Sequence, residues 1–124
     1  MDKLLYVGVG GFIGASLRYL TSLLSVRVFG ENFPYGTLAV NVIGCFLIGL
    51  IMELSLTVWN VSEELRVFLV IGILGGLTTF STFGYETIEM FSKGRMITGL
   101  LNVVLNVFLC LASVGLGRLV VHIK

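Results

Sequence analysis

An asparagine inside an apolar run is the first residue of this chain equipped for chemistry. Asn41 lies one helical turn after Thr37 in the stretch Pro34-Tyr35-Gly36-Thr37-Leu38-Ala39-Val40-Asn41-Val42-Ile43-Gly44. Residues four apart share a helix face, and an Asn side chain carries two N–H donors. Asn41 can therefore replace water around an anion or bond a neighbouring helix. A second cluster reads Gly72-Ile73-Leu74-Gly75-Gly76-Leu77-Thr78-Thr79-Phe80-Ser81-Thr82-Phe83. Adjacent glycines followed by β-branched and hydroxyl residues make a poor continuous helix, so a break is expected here. If this run crosses a membrane, its freed carbonyls can bind a small hard cation, provided the irregular backbone is buried in protein or lines a cavity. A kinked but dry span is the alternative. Phe80 and Phe83 share a face if the helix resumes at that point. Their positive ring edges can touch a small anion without trapping it, although two rings at this spacing also serve as ordinary core or lipid-facing residues. In a third cluster Asn102, Asn106 and Cys110 recur every four residues, with Ser113 in the next turn. That stripe can glue helices together or continue a polar track.

The elements that must position these residues are membrane spans. With 56% hydrophobic and 12% charged residues, against a usual charged share of roughly 25% in soluble domains, a chain of 124 residues could not hide its apolar surface from water. A hydrocarbon core about 30 Å thick takes about 20 residues of helix, and four stretches meet that need, at about 4–24, 36–57, 67–91 and 96–121. They form a single four-span transmembrane domain covering residues 1–124. Pro34 can open the second helix, because its missing N–H would be unsatisfied there anyway. Trp59, Tyr35 and Phe33 fall at the expected water boundaries, and Gly10 to Gly14 and Gly72 to Gly76 have the spacing that lets helix backbones approach closely. Met1-Asp2-Lys3 followed by an apolar run resembles a signal peptide, but it lacks a small-residue cleavage site and carries Gly10-Gly11, Gly14-Ala15 and Arg18, so a retained span is expected.

Charge excludes some functions and leaves orientation undecided. A net charge of +1 offers no basic face to neutralise phosphates, so no nucleic-acid partner is expected. Cys45 and Cys110 lie in apolar runs without the spacing of a disulfide framework or zinc site and read as small packing residues. No catalytic set is visible, so the chain is not expected to be an enzyme; its one histidine, His122, reads as a solvated tail residue. Lys3, Arg66, Arg118 and Lys124 fall towards the face that holds both termini and the second loop; Arg18, Arg27, Lys93 and Arg95 fall towards the other. Four against four leaves neither face favoured by the positive-inside rule, which suggests insertion in both orientations and pairing with an inverted copy.

Three stretches together resemble the fluoride channel family (Fluc, also called CrcB) over nearly the whole chain. They are Gly10-Gly11-Phe12-Ile13-Gly14-Ala15-Ser16-Leu17-Arg18-Tyr19, the Gly36-Thr37-Leu38 to Asn41 to Gly44 run, and Gly75-Gly76-Leu77-Thr78-Thr79-Phe80-Ser81-Thr82-Phe83, the most specific of the three. The resemblance implies an all-α membrane protein of four transmembrane helices with a break in the third, an antiparallel dual-topology homodimer in the bacterial cytoplasmic (inner) membrane, two fluoride pores, and one structural sodium ion at the dimer centre held by the main-chain carbonyls of Gly75 and Thr78. It assigns Phe80 and Phe83 to the paired rings lining each pore, Asn41 to the pore asparagine, and Arg18 to the aqueous vestibule. For Arg18 a snorkelling interface anchor is the alternative. The chain departs from the family on the last span, where a Tyr and then Ser are replaced by Asn102, Asn106 and Cys110. Asn106 is carried over as a pore donor, while Cys110 is a weak donor. The expected fluoride path thus comprises Asn41, Phe80, Phe83, Ser81, Asn106 and Thr37. Glu86, one turn beyond Phe83, is protonated, paired or turned to a vestibule wall. The implied purpose is passive exit of fluoride that enters acidified cells as the neutral acid.

A small proton-coupled exporter of cations is the rival from another class. It needs a buried carboxylate in its first span, and none lies between Lys3 and Arg27, although Glu53, Glu86 and Glu89 sit in or near later spans. A non-transporting membrane scaffold, in which the asparagines are glue only, is the third reading.

Overall fold

The structure is a computed structural model and describes residues 2–123. The helices are α1 (Asp2–Phe29), α2 (Tyr35–Thr57), α3 (Glu63–Arg66), a π-helical segment (Val67–Leu74), α4 (Gly75–Leu77), α5 (Phe80–Ser92) and α6 (Met96–His122). Four helical stretches, at 2–29, 35–57, 63–92 and 96–122, are long and apolar enough to cross a membrane. They run a few residues past the spans expected from the sequence, most of all at the end of α1. Glycines at positive φ, Gly30 and Gly94, turn the chain after α1 and after α5. Ser62 caps α3 by accepting from the Leu65 N–H at 3.2 Å.

The third span breaks at Thr78-Thr79, where the backbone is extended (φ −83°, ψ 157° and φ −152°, ψ 120°). Gly75 stays helical, at φ −62° and ψ −37°. The glycines instead let the third span approach α1. A Cβ on Gly10 would stand 2.6 Å from the Phe68 carbonyl oxygen, one on Gly76 would stand 2.7 Å from that of Gly11, and one on Gly14 would collide with the Ile73 carbonyl. The two glycine pairs seen in the sequence thus pack against each other. The π-helical segment beside them carries an extra residue per turn, a departure common near functional sites.

Burial is reversed relative to a soluble protein. Phe12, Leu56 and Ile97 are 72%, 78% and 82% exposed, while Thr37, Thr87, Asn102 and Asn106 are buried. Apolar side chains face lipid and polar groups are satisfied inside, as a bilayer solvent requires. An ion pair between Lys3 and Glu63, 2.8 Å apart, brings the N-terminus beside the second loop. Glu53 closes the same end of α2 and α6, meeting Arg118 Nε at 2.9 Å and His122 Nε2 at 2.7 Å. At the other end Arg95 donates to the Asn32 carbonyl. Lys124, counted with the first face, lies outside the described residues.

Candidate functional site

The break frees backbone groups, and side chains from α1, α2 and the third span itself take them up. Asn41 Oδ1 accepts from the Thr79 N–H at 2.8 Å, and Asn41 Nδ2 donates to the Thr79 carbonyl at 3.1 Å. The Arg18 guanidinium donates to the Gly76 carbonyl at 2.9 Å, so this arginine braces the break from α1. Thr79 Oγ1 caps α5 by accepting from the Thr82 N–H at 3.2 Å, and lies 3.0 Å from Thr82 Oγ1 and 3.4 Å from Ser81 Oγ. The Thr79 and Thr82 N–H groups would have paired with the Gly75 and Thr78 carbonyls in an unbroken helix. Both are diverted to side-chain oxygens, leaving those two carbonyls without helical partners.

From Asn41 a hydrogen-bonded seam runs through the bundle. Its Nδ2 donates to Asn106 Oδ1 at 3.1 Å, and Asn106 Nδ2 donates to the carbonyl and to Oδ1 of Asn102 at 2.9 and 3.0 Å. Asn102 Nδ2 donates to Thr87 Oγ1 at 2.9 Å, and Thr87 Oγ1 donates to the Phe83 carbonyl at 2.7 Å. The amides of α2 and α6 therefore do join helices, and all four N–H donors of Asn41 and Asn106 are engaged.

The Asn41–Asn106 end of the seam lies in the wall of an open groove of about 460 Å³, lined by Asn41, Thr78, Phe80, Phe83, Asn106 and Cys110 among others. Gly75 also lines it. The Phe80 and Phe83 rings stand 5.4 Å apart at 51°; Phe80 is 82% exposed and Phe83 only 8%. Thr37 lies apart from the groove and donates to Glu86 Oε2 at 3.1 Å, while Glu86 Oε1 is buried without a hydrogen-bond partner among the described residues. Glu86 faces a second, more polar hollow of about 420 Å³, lined also by Ser22, Ser25, Glu89, Lys93 and Arg95. Glu86 is thus paired through one oxygen and lines this hollow.

A family model described as CrcB-like protein, Camphor Resistance (CrcB), matches residues 5–118. The chain belongs to the CrcB family. It is 52% identical over 121 residues to a protein of Clostridium perfringens (strain 13 / Type A) named fluoride-specific ion channel FluC, covering 95% of this chain and 94% of that one. Proteins of the same name from Shewanella halifaxensis and Clostridium novyi are 48% identical over 118 residues and 47% over 121, with the same coverage.

In this CrcB protein the groove collects Asn41, Gly75, Thr78, Phe80, Phe83 and Asn106 from the residues singled out in the sequence. Ser81 reaches the groove's edge through Thr79, while Arg18 and Thr37 lie outside the groove, bonded to the Gly76 carbonyl and to Glu86. Thr79, which the sequence marks only as part of the break, and Thr87, which it does not mark, are the two ends of the seam. Thr87 stands four residues after Phe83, so a hydroxyl able to bond the carbonyl one turn back was the available signal.

Proposed function

We propose that this CrcB protein is a fluoride-selective channel that lets cytoplasmic fluoride leave passively, as an antiparallel homodimer with two pores in the bacterial cytoplasmic membrane. The observation that carries the reading is the Asn41–Asn106 pair set in the groove beside the Phe80 and Phe83 rings. Fluoride holds its water tightly, so a selective path must offer amide and hydroxyl donors at close spacing. Asn41 is anchored through Oδ1 to the Thr79 N–H, which keeps its Nδ2 on the groove side. That amide exchanges a neutral carbonyl for the anion, a stronger, charge-assisted bond. The hydroxyls of Thr79, Ser81 and Thr82 already hydrogen-bond among themselves and can turn towards the ion. Ring edges of Phe80 and Phe83 add contact without a fixed charge, which keeps binding weak enough for exit. The Arg18 side and the hollow at Glu86 supply the polar approaches.

A structural sodium ion fits the donor set. The Gly75 and Thr78 carbonyls have lost their helical partners, and both residues line the groove; hard cations take oxygen ligands of this kind. Two inverted subunits meeting on the groove would present both pairs of carbonyls to one central ion and cover the exposed Phe80 ring. The even division of Lys and Arg between the two faces favours that arrangement.

Fluoride efflux from liposomes holding the purified protein, followed with a fluoride electrode after valinomycin, tests the function. Rapid fluoride loss without matching chloride loss is expected. Folded protein that passes no fluoride would overturn the reading and favour proton-coupled cation export, against which the absence of a carboxylate in α1 beyond Asp2 now stands.

A further inference from the structure

α2 and α6 run parallel and in constant register. Asn41 bonds Asn106 and Glu53 bonds Arg118, each pair 65 residues apart in the chain. Between them Gly49 meets Val114 at the same offset, so closely that a Cβ on Gly49 would collide with the Val114 carbonyl oxygen. Each helix thus repeats the same face every four residues, and the rung between Asn41·Asn106 and Gly49·Val114 is Cys45·Cys110. Both thiols are free and half-buried, both line the groove, and the shared register sets them side by side.

We infer that Cys45 and Cys110 form a two-thiol binding site for a soft, two-coordinate metal cation such as Hg(II), Ag(I) or Cu(I), one turn along the groove from the Asn41–Asn106 pair. Thiolates select soft ions. Two metal–sulfur bonds of about 2.3 Å each span about 4.6 Å in a linear complex, a distance that facing thiols on helices in backbone contact can reach by side-chain rotation. Among the described residues no group of three or more His, Cys, Asp or Glu forms a metal site, so tetrahedral zinc is not satisfied while a two-coordinate ion is. Binding of Hg(II) breaks two S–H bonds, forms two S–Hg bonds and releases two protons, with no change of oxidation state. The bridge ties α2 to α6 and holds a cation in the groove one turn from its amide donors. If the groove carries fluoride, as proposed above, occupancy closes it.

Titration of the purified protein with mercuric chloride decides the site without any transport assay. One equivalent per chain is expected to protect both thiols from maleimide, and intact mass under denaturing conditions to show a single chain with one mercury. In Cys45→Ser and Cys110→Ser the metal, held by one sulfur, is expected to be removed by excess glutathione that leaves the wild type loaded. A need for two equivalents, two mercury atoms on one chain, or a mercury-bridged pair of chains would overturn the inference. In liposomes, mercury is expected to slow fluoride loss by about tenfold or more in the wild type, because a cation fixed beside the amide donors binds the anion too tightly for exit, and to spare the Cys45→Ser/Cys110→Ser double variant. Wild type that binds one mercury per chain yet passes no fluoride before mercury is added would defeat the channel reading alone.

Discussion

Asn41 supports four groups at once: the two backbone groups of Thr79, Asn106 and, through Asn106, Asn102. Replacing it by leucine leaves a buried N–H and at least one acceptor unpaired, at about 1–3 kcal/mol for each orphaned group. Asn41→Leu is therefore expected to lower the apparent melting temperature in detergent as well as the flux, whereas loss of flux alone would show that Asn41 acts on the ion and not on the break. The stripe of Asn102 and Asn106 was legible from spacing, because residues four apart share a helix face. Which partner each amide meets was not, since that depends on how α2, α5 and α6 are packed around them. Arg18 illustrates the same limit. Its place near the end of an apolar run fits an interface anchor, and only the position of Gly76 turns it towards the break.

At the scale of elements, the break in the third span was visible as an unfavourable helical sequence, but its cause is divided among residues differently from the simplest reading. Gly75 and Gly76 remain helical, Gly76 packs closely on α1, and Thr78 and Thr79, whose branched side chains favour extended backbone, carry the break. Two outcomes follow from this division. Thr79→Val removes the cap of α5 and is expected to cost about 1 kcal/mol, read as a fall in thermal stability that Thr79→Ser largely restores. Gly14→Ala places a methyl against the Ile73 carbonyl and 2.8 Å from the Leu77 backbone nitrogen, and overpacking of this kind costs about 1–3 kcal/mol. The same substitution at Gly8, which has open space around it, is expected to leave stability unchanged, and equal losses at both positions would contradict the packing account.

Over the whole molecule, four apolar runs of bilayer length made the spans readable from the amino acids alone, and their short connections left no room for a soluble domain between them. Assembly was less legible, because a single chain shows only what it leaves uncovered: an open groove, an exposed Phe80 and carbonyls released at Gly75 and Thr78. In the proposed dimer these would be one surface, completed by an inverted second copy. Light scattering of the detergent-solubilised protein is expected to give a dimer, and a reporter fused to the C-terminus to be found on both sides of the membrane in comparable amounts. A single orientation would remove the antiparallel arrangement while leaving the groove intact.

The Phe80 and Phe83 rings and the amides beside them form the proposed path for fluoride. Its most direct test is fluoride efflux from liposomes for Phe80→Ile set against the wild type, with both proteins first shown to have the same oligomeric state. Because Phe80 is largely exposed on one subunit, the substitution is expected to leave the fold unchanged and to abolish rapid fluoride loss. Unchanged fluoride efflux in a correctly assembled Phe80→Ile protein would contradict the account and place the path elsewhere in the bundle.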